Sequence, residues 1–137
     1  MKKLMALIVF ASLFLSMPVM DFASGKDNSF RPFTPEFISF LKENESSVTG
    51  DIMRLRAKGL KANLGEKHAE YLLYHQDLIP KKLRKKHTLV FPGTVWRDSA
   101  GFRFVPCLMW HHYSWYLLWF CLDFNWHSNA LIVGARP

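Results

Sequence analysis

The chain has two cysteines, Cys107 and Cys121, and no glutamate after Glu70. Its longest apolar run falls short of the ~20 residues that a membrane-spanning helix needs. No C-x2-C or H-x3-H spacing occurs, so the usual zinc frames are missing. No G-x-S-x-G is present either, which removes the nucleophile elbow of the α/β hydrolases. His111, His112, His127 and Asp123 lie near one another in sequence, but adjacent loop histidines diverge. His111 with Asp123, or His127 with Asp98, would be the acid–base pair of a small secreted hydrolase or nuclease. The pattern assigns no catalytic residue, no metal ligand and no cofactor.

What is present begins with residues 1–25. Lys2 and Lys3 make a basic start, an apolar run extends from Leu4 to Leu15, and Pro18 breaks it. Ala23 and Gly25 supply the small residues that a signal peptidase reads. The segment reads as a secretory signal and directs the chain to the periplasm or the medium; the alternative is an anchor retained through residues 4–20. Cleavage after Gly25 leaves residues 26–137, a 112-residue single domain. Loss of Lys2, Lys3 and Asp21 lowers the formal charge from +7 to +6. With 50% hydrophobic and 15% aromatic residues over the full sequence, the chain is no disordered tail. Its charge favours anionic partners: a membrane surface, an envelope polymer, or the acidic face of a protein.

Proline and hydrophobic spacing predict helices in the first half. Thr34 and Pro35 suit a helix start, and residues 35–45 would bury Phe37, Ile38 and Leu41. Thr49 caps a second helix running to about Leu64, with Met53, Ala57, Leu60 and Leu64 in one stripe. A third runs from Glu66 to about Leu78 on Ala69, Leu72 and Leu73. Residues 81–86 then carry Lys81, Lys82, Arg84, Lys85 and Lys86, either an anion-binding patch or a solvated connector.

From His87 onward the pattern turns to strands: 88–97 with a bend at Pro92 and Gly93, 102–110, 115–124 and 130–135. The expected fold is α+β, with two or three N-terminal helices (35–80) packed on a four-stranded antiparallel β-meander (87–137). The 111–114 loop sets Trp110 opposite Trp115 and Phe104 opposite Cys121. Cys107 and Cys121 then face opposite sides, roughly 10 Å apart along the strands, where a disulfide needs about 7 Å or less between Cα atoms. A disulfide needs another register, with Trp115 in the turn. Both hairpin faces are apolar, and the helical half is expected to cover only one. The other would curl on itself, pair with a second copy, or remain an aromatic patch for a partner.

Residues 69–80, 93–99, Gly101 and 105–108 resemble a group of short uncharacterised bacterial proteins with a Trp-framed C-terminal segment. In that segment Trp110, Trp115, Trp119 and Trp126 alternate with thirteen residues, at 111–114, 116, 118, 120, 121, 124, 125 and 127–129. All thirteen are reachable from an AAC or AAT codon by changes at its adenines. This resembles the target proteins of diversity-generating retroelements. The resemblance implies an exported ligand-displaying protein, but not the C-type-lectin fold of the best-known targets, for which this chain is too short and too helical. It also makes Cys121 incidental rather than half of a bridge.

The expected role is non-catalytic binding through the aromatic loops, by His111, His112, Tyr113, Trp115, Trp126 and His127, assisted by the 81–86 cations. Alternatives are a periplasmic inhibitor or immunity protein acting through its basic face, and the secreted hydrolase or nuclease above. The basic run and the aromatics occupy different halves of the chain, which argues against a nucleic-acid groove, as does export.

Overall fold

In the computed structural model, residues 30–137 are described; the expected signal segment lies outside them. Residues 35–45 do not form the expected helix. Pro35–Ile38 is a strand, β1, paired antiparallel with the last strand. Phe37 packs into one apolar cluster and Ile38 into the other, on opposite sides of the sheet. A strand can divide adjacent side chains in this way, whereas a helix would set them on one flank. Pro35 is tolerated because β1 is an edge strand.

Ser47–Thr49 (β2) leads directly into helix α1, Gly50–Gly59. Thr49 Oγ1 accepts a hydrogen bond from the Ile52 N–H at 3.3 Å, so the expected cap is in place. Met53 and Ala57 face the core. The helix ends before Leu64 because Lys61 turns left-handed (φ 55°) and the Ala62 N–H closes back on the Ala57 carbonyl at 2.8 Å.

Helix α2, Glu66–Tyr74, buries Ala69 and Leu72, and gives way to 3-10 turns at Gln76–Leu78 and Lys81–Leu83. Its first N–H, on Glu66, donates to Thr94 Oγ1 at 2.9 Å, a cap supplied from the bend between the next two strands. That approach requires Gly93, since a Cβ there would stand 2.0 Å from the Asn63 carbonyl oxygen.

The remaining strands are β3 (Thr88–Val90), β4 (Trp96–Arg97), β5 (Arg103–His111), β6 (Ser114–Cys121), β7 (Asn125–His127) and β8 (Ala130–Ala135). β3 and β4 both pair antiparallel with β5, interrupted by the bend at Pro92 and Gly93. β5 and β6 form the long hairpin in the expected register, Trp110 opposite Trp115 and Phe104 opposite Cys121. The meander stops there. β8 does not follow β6 in the sheet but lies between β1 and β3, parallel to β3. A six-stranded mixed sheet and the separate β2–β7 pair therefore replace the four-stranded antiparallel meander. The connection responsible is 122–129, which leaves the sheet and pairs its middle, β7, with β2 before β8 re-enters.

This crossing also settles the two apolar faces. Val90, Val105, Cys107 and Ile132 pack with Met53 and Ala57 of α1 and with Val48 and Trp126 of the small sheet. Leu89, Leu108, Trp115 and Val133 pack with Ala69 and Leu72 of α2 and with Leu83. The two helices divide between the faces, so each face carries part of the core, while Tyr116 of the hairpin stays exposed. Cys107 stands opposite Leu118 rather than Cys121, and both thiols are free.

Candidate functional site

The register places several distant segments at one end of the sheet. β5 ends there at His111, and β3 begins there at Thr88, one residue before Leu89 pairs with Leu108. β8 begins there as well, with Ala130 beside Thr88. The basic segment 81–86 leads into β3, so it also reaches this end. The hairpin loop is tighter than the four residues expected: His111 pairs with Ser114, and His112 and Tyr113 form a two-residue turn. His112 takes φ 56°, the positive value a primed hairpin turn needs at its first central residue.

Arg84 is the junction between basic run and aromatics. Its guanidinium lies 4.2 Å from the Trp110 ring centroid, a cation–π stack. Leu83 is buried beside it and anchors the run, leaving Lys81, Lys82, Lys85 and Lys86 exposed. Lys85, Trp110, His111, His112 and Tyr113 line an open cleft of about 360 Å³. The His111 and His112 rings pack 4.1 Å apart, and Tyr113 is 92% exposed. The two groups that sequence placed in different halves of the chain thus share one surface.

Charge is segregated along the sheet. From residue 78 to the C-terminus the only carboxylate side chains are Asp98 and Asp123, and both stand at the other end. Asp98 folds its own turn, accepting from the Ala100 N–H at 3.0 Å and the Phe102 N–H at 2.9 Å. Asp123 and Asp51 flank Arg103, whose Nη1 lies 2.8 Å from Asp51 Oδ1. Hydrogen bonds from Arg103 lower the pKa of both carboxylates. The strands are long enough to set these acids on the order of 25 Å from the tip. Among the described residues none of Lys81, Lys82, Lys85 and Lys86 forms an ion pair, and the exposed Asp77 lies nearby in sequence.

Three of the expected binding residues, His111, His112 and Tyr113, stand together at the tip. His127 is exposed on β7, outside the cleft lining. Trp115 (1% exposed) and Trp126 (5%) serve the core, and the Trp126 indole N–H donates to the Leu122 carbonyl at 3.1 Å. Sequence reasoning missed Gln76, whose amide holds the base of β6. No local signal marked it, since Gln76 stands between His75 and Asp77 in a polar turn. Among the described residues no group of three or more His, Cys, Asp or Glu could hold a metal ion.

No family model matches the chain, and neither a curated protein nor a solved structure matches it.

Proposed function

We propose that this chain is an exported binding protein that displays exposed side chains on a rigid tryptophan-anchored frame, with the hairpin tip as its working surface. The observation that carries this reading is how burial divides along residues 111–129. Trp115, Trp119 and Trp126 are buried, at 1%, 7% and 5% exposure. The thirteen residues interspersed among them are all exposed or half-buried, with Phe120 packed against the core. Burial thus separates the tryptophans from these positions, and the exposed ones tolerate substitution at little cost to stability. This division also supports the likeness to retroelement targets, in which variable positions sit on a constant scaffold.

Two measurements test it. A variant with His111, His112, Tyr113, Tyr116, His127, Ser128 and Asn129 all changed to alanine keeps a cooperative melt and its circular-dichroism spectrum. Unfolding would place these residues in the framework and remove the reading. Sequencing the locus from many cells of one lineage shows variation confined to codons 111–129; an invariant locus would remove the retroelement likeness.

A second reading is favoured by the tip lysines, which form no ion pair among the described residues: an inhibitor or immunity protein that blocks an acidic enzyme. Co-purification of an acidic envelope enzyme, lost when Lys81, Lys82, Lys85 and Lys86 become glutamine, supports it. Survival of the complex in that variant excludes it.

A further inference from the structure

Two chemistries converge at the tip: lysines without an ion-pair partner among the described residues, and the exposed rings of His111, His112 and Tyr113 beside the half-buried Trp110 that Arg84 covers. Lys85 lines the cleft with Trp110, His111, His112 and Tyr113. Lys81, Lys82 and Lys86 are exposed along the adjoining segment. A strip of lysines beside a ring platform suits a polyanion that carries flat, unsaturated groups between its charges. Phosphodiesters release counterions to such a strip, and bases stack on such rings.

Other polyanions fit less well. An acidic glycan could use the lysines, but it offers no flat unsaturated group to the exposed His111, His112 and Tyr113 rings. A nucleic-acid duplex hides both faces of each base, so it can use the lysines but not the rings. The cleft volume of about 360 Å³ is that of a small single-ligand site, enough for one unstacked base and its sugar.

We infer that the tip cleft binds single-stranded nucleic acid, with one base against the exposed rings of His111, His112 and Tyr113 and its phosphates along the 81–86 strip. This names the ligand class of the display surface and rests on the tip being the working surface. The Arg84–Trp110 stack closes the separation in sequence that argued against a nucleic-acid groove, and for an exported chain the ligand is nucleic acid outside the cell.

The test is fluorescence polarisation of fluorescein-labelled dT12 with the full chain at 50 and 200 mM NaCl. Binding is expected, with log K falling linearly in log salt at a slope of about −2 to −3.5, for three to five phosphates at roughly 0.7 each. Tyr113→Ala, at a residue 92% exposed, weakens binding about 5- to 150-fold with an unchanged melt and salt slope. Lys85→Gln combined with Lys86→Gln flattens the slope by about 1.4. dTMP and a twelve-base-pair duplex both bind more weakly than dT12.

Four results overturn the inference. They are no binding of dT12, an unaffected Tyr113→Ala variant, a duplex that binds as tightly as the strand, and dTMP that binds as tightly as dT12. The last would point to a free nucleotide. None of these disturbs the display reading, which stands or falls on the alanine variant's fold.

Discussion

Gln76 grips the backbone of Trp115 with both ends of its side-chain amide. Oε1 accepts from the Trp115 N–H at 3.1 Å, and Nε2 donates to the Trp115 carbonyl at 3.3 Å. The amide thus acts as one residue of a neighbouring strand along the outer edge of β6. Ser114 Oγ donates to the same Oε1 at 3.3 Å. The turn after α2 is thereby tied to the tip end of the hairpin, beside the residues that line the cleft.

Gln76→Ala is expected to destabilise the protein by about 1–3 kcal/mol, because a half-buried N–H and carbonyl lose their partners. Gln76→Glu keeps the acceptor, loses the donor and costs less. Hydrogen exchange at the Trp115 amide, faster in the alanine variant than at amides within α1, is the direct check. Unchanged exchange would mean that the edge is held by packing alone.

Trp115→Ala empties a core position and should cost about 3–5 kcal/mol. Tyr113→Ala, two residues away, should fall within about 0.5 kcal/mol of the parent. Urea midpoints of the two variants measure the contrast. Comparable losses would contradict the division between framework and display residues.

Gly93→Ala forces a methyl group against the Asn63 carbonyl, at 2.0 Å with backbone on both sides. The Gly93 N–H also donates to the Leu64 carbonyl at 2.8 Å, so the two loops cannot simply part. A loss of about 1–3 kcal/mol is expected, read as a lower melting temperature. A neutral result would show that the loop before α2 yields.

Acid should weaken the fold through Glu45. Hydrogen bonds from the Arg56 guanidinium, then from the Lys42 N–H, hold its carboxyl at a pKa of about 2, below the usual 4.5. Between those values the unfolded chain binds the proton and the folded one does not. This contribution is therefore complete above pH 4.5 and is lost as pH falls through about 2. Melting temperature against pH should be shallower for Glu45→Gln than for the parent across that window. Parallel curves would assign the acid loss to other carboxylates.

The two thiols should differ in reactivity. Burial raises the Cys107 pKa well above the ordinary thiol value, while Cys121 is only half-buried. Iodoacetamide at pH 8 is expected to alkylate Cys121 first, and Cys107 only on unfolding. Mass spectrometry of partially labelled protein reads the order. A Cys107–Cys121 disulfide in purified protein would require a register other than Trp110 opposite Trp115.

Much of the local structure was legible in the sequence because its causes are local. The Thr49 cap, the bend at Pro92 and Gly93, and the strands from 103 to 121 follow from hydroxyl placement, ring constraint and alternation. The hairpin register follows from loop position, although the turn itself is two residues rather than four. Residues 35–38 were misread because Phe37, Ile38 and Leu41 satisfy a helical spacing. What outweighs it is an open edge on β8, whose residues lie 94 to 100 positions further along, which no local pattern reveals.

The candidate site was legible only as separate parts. A run of cations and a run of rings are visible in the chain, but their meeting is not, because Arg84 reaches Trp110 only once β3 pairs with β5. Sequence alone determined composition, charge sign, the aromatic frame and the hairpin, since each depends on residue chemistry or near neighbours. Tertiary structure alone decided which tryptophans are core, that helices cover both faces, and that the basic strip borders the cleft. Those outcomes depend on long-range strand pairing, and above all on the 122–129 crossing that brings β8 back beside β3. Burial and charge proximity are properties of that pairing, not of any one segment.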